Sequence, residues 1–128
     1  MDQKNIASVE DLHGSFRNLI VWQRAVELCV AIYKLTSVFP PSEQFGLTNQ
    51  LRRAAVSIAS NIAEGYGKSS RGKYLQFLGH ARGSNFEVQS QMVIARKLGF
   101  GVEADLQHSD DLATEVGKML VSLMKKLR

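Results

Sequence analysis

Cysteine and proline are scarce in this chain of 128 residues. The single cysteine, Cys29, cannot form an intramolecular disulfide, which excludes a disulfide-stabilised fold and favours a reducing compartment. The only two prolines, Pro40 and Pro41, are adjacent, so the long stretches on either side are free to form helices. One cysteine and three widely separated histidines do not supply the ligands of a structural zinc site, so we expect no bound metal.

Long apolar runs are absent as well. No stretch reaches the roughly 18 apolar residues that a membrane helix needs, because polar residues interrupt the most apolar region, 19–35. The first residues, MDQKNIASVEDLHG, lack the apolar segment of a secretory signal. We therefore expect a soluble, cytoplasmic protein of bacterial type that makes no contact with a membrane.

Apolar residues recur at helical spacing along most of the chain, and no segment alternates with the period of two that a strand shows. The pattern predicts a flexible lead-in over residues 1–15 and a single domain over residues 16–128. Within that domain we predict helices at about 18–38, 46–64, 71–98 and 103–127. Four helices with short connections favour an all-α, up-down-up-down four-helix bundle.

The net charge of +4 is unevenly distributed along the sequence. Residues 44–100 carry eight basic and two acidic side chains, whereas the segments before and after them are each slightly acidic. Such a basic region would attract a polyanion if its side chains share a face. Arg82, Gln89 and Arg96 recur every seven residues, as either a phosphate-tracking stripe or an ordinary solvated face. The candidate phosphate contacts are Arg52, Lys68, Arg71, Lys73, Arg82, Arg96 and Lys97.

Two polar stripes would face each other if the second and third helices are antiparallel. The stripes consist of Arg53, Ser57 and Asn61 on the second helix and His80, Ser84 and Glu87 on the third. Facing pairs then have nearly constant index sums, for example Ser57 with Ser84, and Arg53 would donate a charge-assisted hydrogen bond to Glu87. We interpret the stripes as a structural polar ladder that fixes helix register or a subunit interface. A catalytic site that uses His80 and Glu87, or contact with a ligand, is the alternative.

Gly79 and Gly83 lie inside the third predicted helix. A glycine in a helix costs about 1 kcal/mol relative to alanine. Two of them therefore suggest either close approach of the second helix or access by a partner.

The segment GYGKSSRGK, residues 65–73, superficially resembles a phosphate-binding loop. A Walker A motif would need glycine at position 62, where Ile62 stands, and the segment follows a helix instead of a strand. Lys68, Arg71 and Lys73 could still form a generic anion site at a helix N-terminus, or simply a solvated, capped turn. No nucleophile motif of a hydrolase is present, so we expect neither catalytic residues nor a cofactor.

Three segments together resemble a known family: FRNLIVWQRAVEL, FPPSEQFGLTNQLRRAAVSIASNIAEGYGK and YLQFLGHARGSNFEVQSQMVIARKLG. They are similar to the bacterial four-helix-bundle proteins encoded by intervening sequences within 23S ribosomal RNA genes. More distantly, they are similar to the accessory variability determinant of diversity-generating retroelements, a basic pentamer that binds nucleic acid and a reverse transcriptase. The resemblance implies a homopentamer and no established enzymatic activity.

The sequence therefore favours a non-enzymatic, homopentameric scaffold that binds RNA or DNA weakly through its basic central region. The alternative is a protein-interaction scaffold with no direct contact to nucleic acid. Apolar residues exposed outside the bundle would favour that second interpretation.

Overall fold

The computed structural model describes residues 15–128, which contain four long α-helices and no strand. The helices are α1 (Ile20–Thr36), α2 (Leu47–Tyr66), α3 (Arg71–Lys97) and α4 (Glu103–Leu127). Two short 3-10 helices, Phe16–Asn18 and Pro41–Glu43, precede α1 and α2. The predicted all-α four-helix bundle is confirmed. The predicted lead-in falls almost entirely on residues 1–14, which lie outside the described residues.

Local sequence signals set the ends of the helices. The Ser70 hydroxyl accepts a hydrogen bond from the backbone N–H of Lys73 (3.1 Å) and so caps α3. The Glu43 carboxylate accepts one from the N–H of Leu47 (3.0 Å) at the start of α2. The turn between α3 and α4 needs glycine at Gly101, which has a φ of +86° and leaves no room for a Cβ beside Leu35.

The core is formed by one apolar stripe from each helix. Each helix packs against two neighbours, so that α1 contacts α2 and α4, while α3 contacts α2 and α4. Burial of a large apolar side chain contributes about 1.5–3 kcal/mol relative to its exposed state. The largest fully buried side chains include Leu28, Ile32, Leu35, Leu51, Ile58, Ile62, Leu78, Val88, Met92, Val116 and Leu120.

Close packing of α2 on α3 depends on Gly65. A Cβ at this buried position would lie 2.8 Å from the Cβ of Phe77 and 3.2 Å from the Tyr74 ring. By contrast, a Cβ at Gly79 or Gly83 would meet no atom within 4 Å. Of the two explanations offered for Gly79 and Gly83, close approach of α2 is therefore wrong, because both glycines lie on a side of α3 that does not contact α2.

Among residues 15–128, no helix combines the length and the apolar character that crossing a bilayer requires.

Candidate nucleic-acid interface

Four grooves run along the bundle, one between each pair of neighbouring helices, and their chemistry differs. The α1–α2 groove carries Tyr33 and Arg52, and the α2–α3 groove is mainly polar. The α1–α4 groove is mainly apolar, with Val30 at its edge. The α3–α4 groove combines several cations with an exposed aromatic ring.

The polar ladder between α2 and α3 is present in its central part. The Ser84 hydroxyl donates to the Ser57 hydroxyl at 3.0 Å, and the Gln91 amide donates to the Gln50 side chain at 3.4 Å. Both pairs have an index sum of 141, which confirms the antiparallel register predicted from the sequence. Asn61 donates to the Ser57 carbonyl (2.8 Å) and hydroxyl (2.9 Å), so it stays on its own helix.

The ends of the ladder differ from the prediction. Within the described part of the chain, no hydrogen bond or ion pair joins Arg53 to Glu87, although both line the same groove of about 420 Å³. Arg53 is exposed and also borders the α1–α2 groove, so its charge does not need a carboxylate partner. His80 is exposed and packs edge-on against Phe77, with ring centroids 5.6 Å apart. The geometry therefore does not pair His80 with Asn61 or with Glu87.

Two of the predicted phosphate contacts hold helices together. Arg52 donates its Nε–H to the Thr36 hydroxyl at 2.8 Å, and its guanidinium lies 4.5 Å from the centre of the Tyr33 ring. This contact joins α2 to α1. The guanidinium of Arg52 consequently interacts with α1 and is only partly exposed to solvent.

Arg96 makes the equivalent link between α3 and α4. Its guanidinium lies 2.9 Å from a carboxylate oxygen of Asp110 and 3.3 Å from one of Glu103. Hydrogen bonds to Asp110 first, and then to Glu103, raise the pKa of the Arg96 guanidinium above its ordinary value. The carboxylates of Glu103 and Asp110 more than balance the charge of Arg96, so this cluster does not attract a phosphate.

Four of the other predicted contacts, Lys68, Arg71, Lys73 and Lys97, lie near the ends of α3. Lys68 is 3.9 Å from the Glu64 carboxylate and sits over the Phe77 ring. Arg71 and Lys73 are exposed at the start of α3, and Lys97 is exposed at its last turn. None of these last three forms an ion pair within residues 15–128. They are available to an anion, but they do not converge on one groove.

A cationic groove lies between α3 and α4, and we define it by Arg82, Phe86, Gln89, Lys118, Val121 and Lys125. Its volume is about 490 Å³, and Thr114, Gly117 and Ser122 complete its lining. A smaller pocket of about 120 Å³ beside it also borders Arg82 and adds Arg128. No acidic side chain lines either cavity.

Charges along α3 and α4 are segregated. Near the start of α4, Glu103 and Asp110 pair with Arg96, and Asp105 pairs with Lys34 of α1. Glu115, halfway along α4, is turned towards α1 and pairs with Arg24 at 3.3 Å. Across the described residues, neither Arg82 nor Lys118 has an ion-pair partner, and the same holds for Lys125 and Arg128. Cations that converge without counter-charges create a positive potential that raises the local concentration of an anionic ligand.

The sequence identified Arg82 as a candidate phosphate contact but did not identify the residues of α4 that form the other wall of the groove. The segment after residue 100 is slightly acidic as a whole, and its late lysines fit the preference of a helix C-terminus for cations. One signal could have identified the groove. Lys118 and Lys125 are seven residues apart, as are Arg82 and Gln89 on the antiparallel α3, so the two pairs lie on facing stripes.

The described residues contain no cluster of three or more histidine, cysteine, aspartate or glutamate side chains able to hold a metal ion. Cys29 is half-buried, and burial raises the pKa of its thiol, which lowers its reactivity as a nucleophile near neutral pH.

These features define an antiparallel four-helix bundle with one cationic interhelical groove. The sequence profile of the 23S rRNA-intervening sequence protein family matches residues 17–122, and the chain belongs to this family. The family resemblance inferred from the sequence is thereby confirmed.

The fold also occurs in a crystal structure from Bacteroides thetaiotaomicron VPI-5482, of a protein with unknown function from the S23 ribosomal protein family. The two chains are 23% identical, with a TM-score of 0.74 over 83% of this chain and 99% of that one. At this level of identity the similarity concerns the fold alone. No curated protein sequence matches this chain.

Proposed function

We propose that this protein is a non-enzymatic, cytoplasmic scaffold that binds nucleic acid weakly through the cationic groove. The observation that carries the proposal is the convergence of Arg82, Lys118 and Lys125 on one groove without an acidic residue. The sequence-based hypothesis of a basic binding region is retained, but its centre moves from the middle of the chain to the α3–α4 groove. Lys68, Arg71, Lys73 and Lys97 then add peripheral phosphate contacts.

Phosphate contacts of this kind have a measurable signature. Each cation that neutralises a phosphate releases condensed counterions, so affinity falls as the salt concentration rises. A single groove with three or four cations supplies few such contacts, which fits weak binding per chain.

We expect labelled RNA or DNA oligonucleotides to bind at about 50 mM salt and to lose at least 10-fold in affinity at about 200 mM. Filter binding or fluorescence anisotropy measures both values. Failure to retain either nucleic acid at the lower salt concentration would reject the proposed function.

The proposal includes assembly as a homopentamer, which the family resemblance suggests. Exposed apolar side chains on α1 support self-association, since Val30 is 65% and Tyr33 44% exposed. Five grooves in one particle would combine weak contacts through avidity.

Static light scattering is expected to give a mass about five times the 14.2 kDa of the chain. A mass near that of one chain would contradict the pentamer while leaving the groove intact as a binding site. The measurement therefore separates assembly from binding.

A protein-interaction scaffold is the second candidate, and one surface favours it. Val38, Phe45, Leu98 and Val102 are all exposed, and the directions of the four helices place them at the same end of the bundle. Phe45 is 88% exposed. A pulldown from nuclease-treated lysate distinguishes the candidates: a protein retained by the wild type but lost with Phe45→Ser favours this one.

A further inference from the structure

We propose that the cationic groove binds single-stranded nucleic acid in preference to duplex, with Phe86 as the surface on which one unpaired base stacks. The inference rests on the proposed function and names the class of nucleic acid that the groove accepts.

Phe86 lines the groove between its cations and is 52% exposed, although a large apolar side chain on α3 could have been buried in the core. Aromatic side chains beside a basic groove bind single strands because a base can stack on them. In a duplex, neighbouring base pairs cover both faces of each base, so Phe86 has no base to contact.

The Arg82 guanidinium lies over one face of the Phe86 ring, 5.0 Å from its centre. A base that stacks on the opposite face leaves Arg82 free to contact the phosphate of the same nucleotide. Backbone recognition and base stacking come from adjacent side chains on one helix.

The dimensions of the groove also suit a single strand. Lys118 and Lys125 are two helical turns apart, or about 10 Å along α4. That distance equals about three nucleotides at the 3.4 Å rise of one stacked strand. The groove volume of about 490 Å³ suits a base with its sugar, whereas a duplex could only lay its phosphates across the opening.

The chemistry of the groove also favours nucleic acid over an acidic peptide. Gln89, Thr114 and Ser122 place an amide and two hydroxyls on its walls, where they can donate to and accept from the edges of an unpaired base. The carboxylates of an acidic peptide, by contrast, cannot donate hydrogen bonds to the acceptor groups on these walls and cannot stack on the Phe86 ring.

The test compares binding of a labelled single strand of about 12 nucleotides with a duplex of the same length at about 50 mM salt, using the full chain. Phe86→Ala is expected to lower affinity for the single strand about 10-fold and to leave affinity for the duplex within about two-fold. Phe86→Trp should restore tight binding, whereas Phe86→Leu should not, because leucine keeps the apolar volume but lacks the ring.

Val93→Ala is the matched control. Val93 is also on α3 and is also 52% exposed, but it lies outside the groove, so its replacement should change neither affinity. Circular dichroism spectra of all variants should match the wild type.

Three results would overturn the inference. If wild-type protein binds duplex as tightly as the single strand, or if Phe86→Ala leaves single-strand affinity unchanged, the groove binds phosphates without regard to strandedness, and the proposed function still stands. If neither nucleic acid binds at all, both the inference and the proposed function fail.

Discussion

Reversing two charges in the cationic groove (R82E/K118E) is expected to weaken binding of single-stranded RNA at about 50 mM salt by at least about 30-fold. The two residues line the groove from opposite walls, Arg82 on α3 and Lys118 on α4. A unit-charge pair at about 4 Å is worth about 1 kcal/mol in bulk water, so each reversal replaces an attraction with a repulsion of similar size. Fluorescence anisotropy with a labelled oligonucleotide measures the loss.

The control for this variant is K73E/K97E, which changes the net charge by the same amount. Lys73 and Lys97 are exposed on α3 but lie outside the groove, near opposite ends of the helix. Because Lys73 and Lys97 are proposed only as peripheral phosphate contacts, we expect this variant to lose about three-fold or less, through those weak contacts and the overall change in potential. Equal losses in the two variants would mean that net charge alone governs binding, and the groove would lose its role.

The second large effect concerns stability. Gly65→Ala is expected to lower the free energy of unfolding by about 1–3 kcal/mol. The new methyl group would lie 2.8 Å from the Cβ of Phe77, so α2 and α3 would have to separate. Urea unfolding followed by circular dichroism gives the change in midpoint and slope.

Gly83→Ala provides the opposite case on the facing helix. Gly83 is exposed and has open space where the methyl group would go, so alanine should raise stability by about 0.5–1 kcal/mol through helix propensity. If Gly65→Ala has the same free energy of unfolding as the wild type, α2 and α3 are not in tight contact at Gly65. If Gly83→Ala is destabilising, another chain covers that side of α3.

The helices themselves could be predicted closely from the sequence. Apolar periodicity placed α2, α3 and α4 within about two residues of their observed ends, because each has a single buried stripe and a clear capping or glycine signal. Constant index sums likewise predicted the α2–α3 register, which the Ser57–Ser84 hydrogen bond confirms.

The binding groove could be predicted only in part, because charge along a sequence is not charge on a surface. The sequence predicts Arg96 to be a free cation, because its partners Glu103 and Asp110 belong to the next helix and meet it only after folding. Lys118 and Lys125 could not be recognised as free cations from the sequence. The acidic residues that balance their charge along the sequence lie at the other end of α4 or face α1 in the structure. The rotation of each helix about its axis explains why Gly65 contacts a neighbouring helix and Gly79 and Gly83 do not. A few tens of degrees decide whether a position faces a neighbour or solvent.

The dependence of affinity on salt tests the central claim most directly. For single-stranded RNA, each phosphate contact contributes about 0.7 to the slope of log affinity against log salt concentration. Neutralising Arg82 and Lys118 (R82Q/K118Q) should therefore make the slope about 1.4 smaller in magnitude than that of the wild type. An unchanged slope would show that these two side chains touch no phosphate and that nucleic acid, if bound, lies elsewhere on the protein.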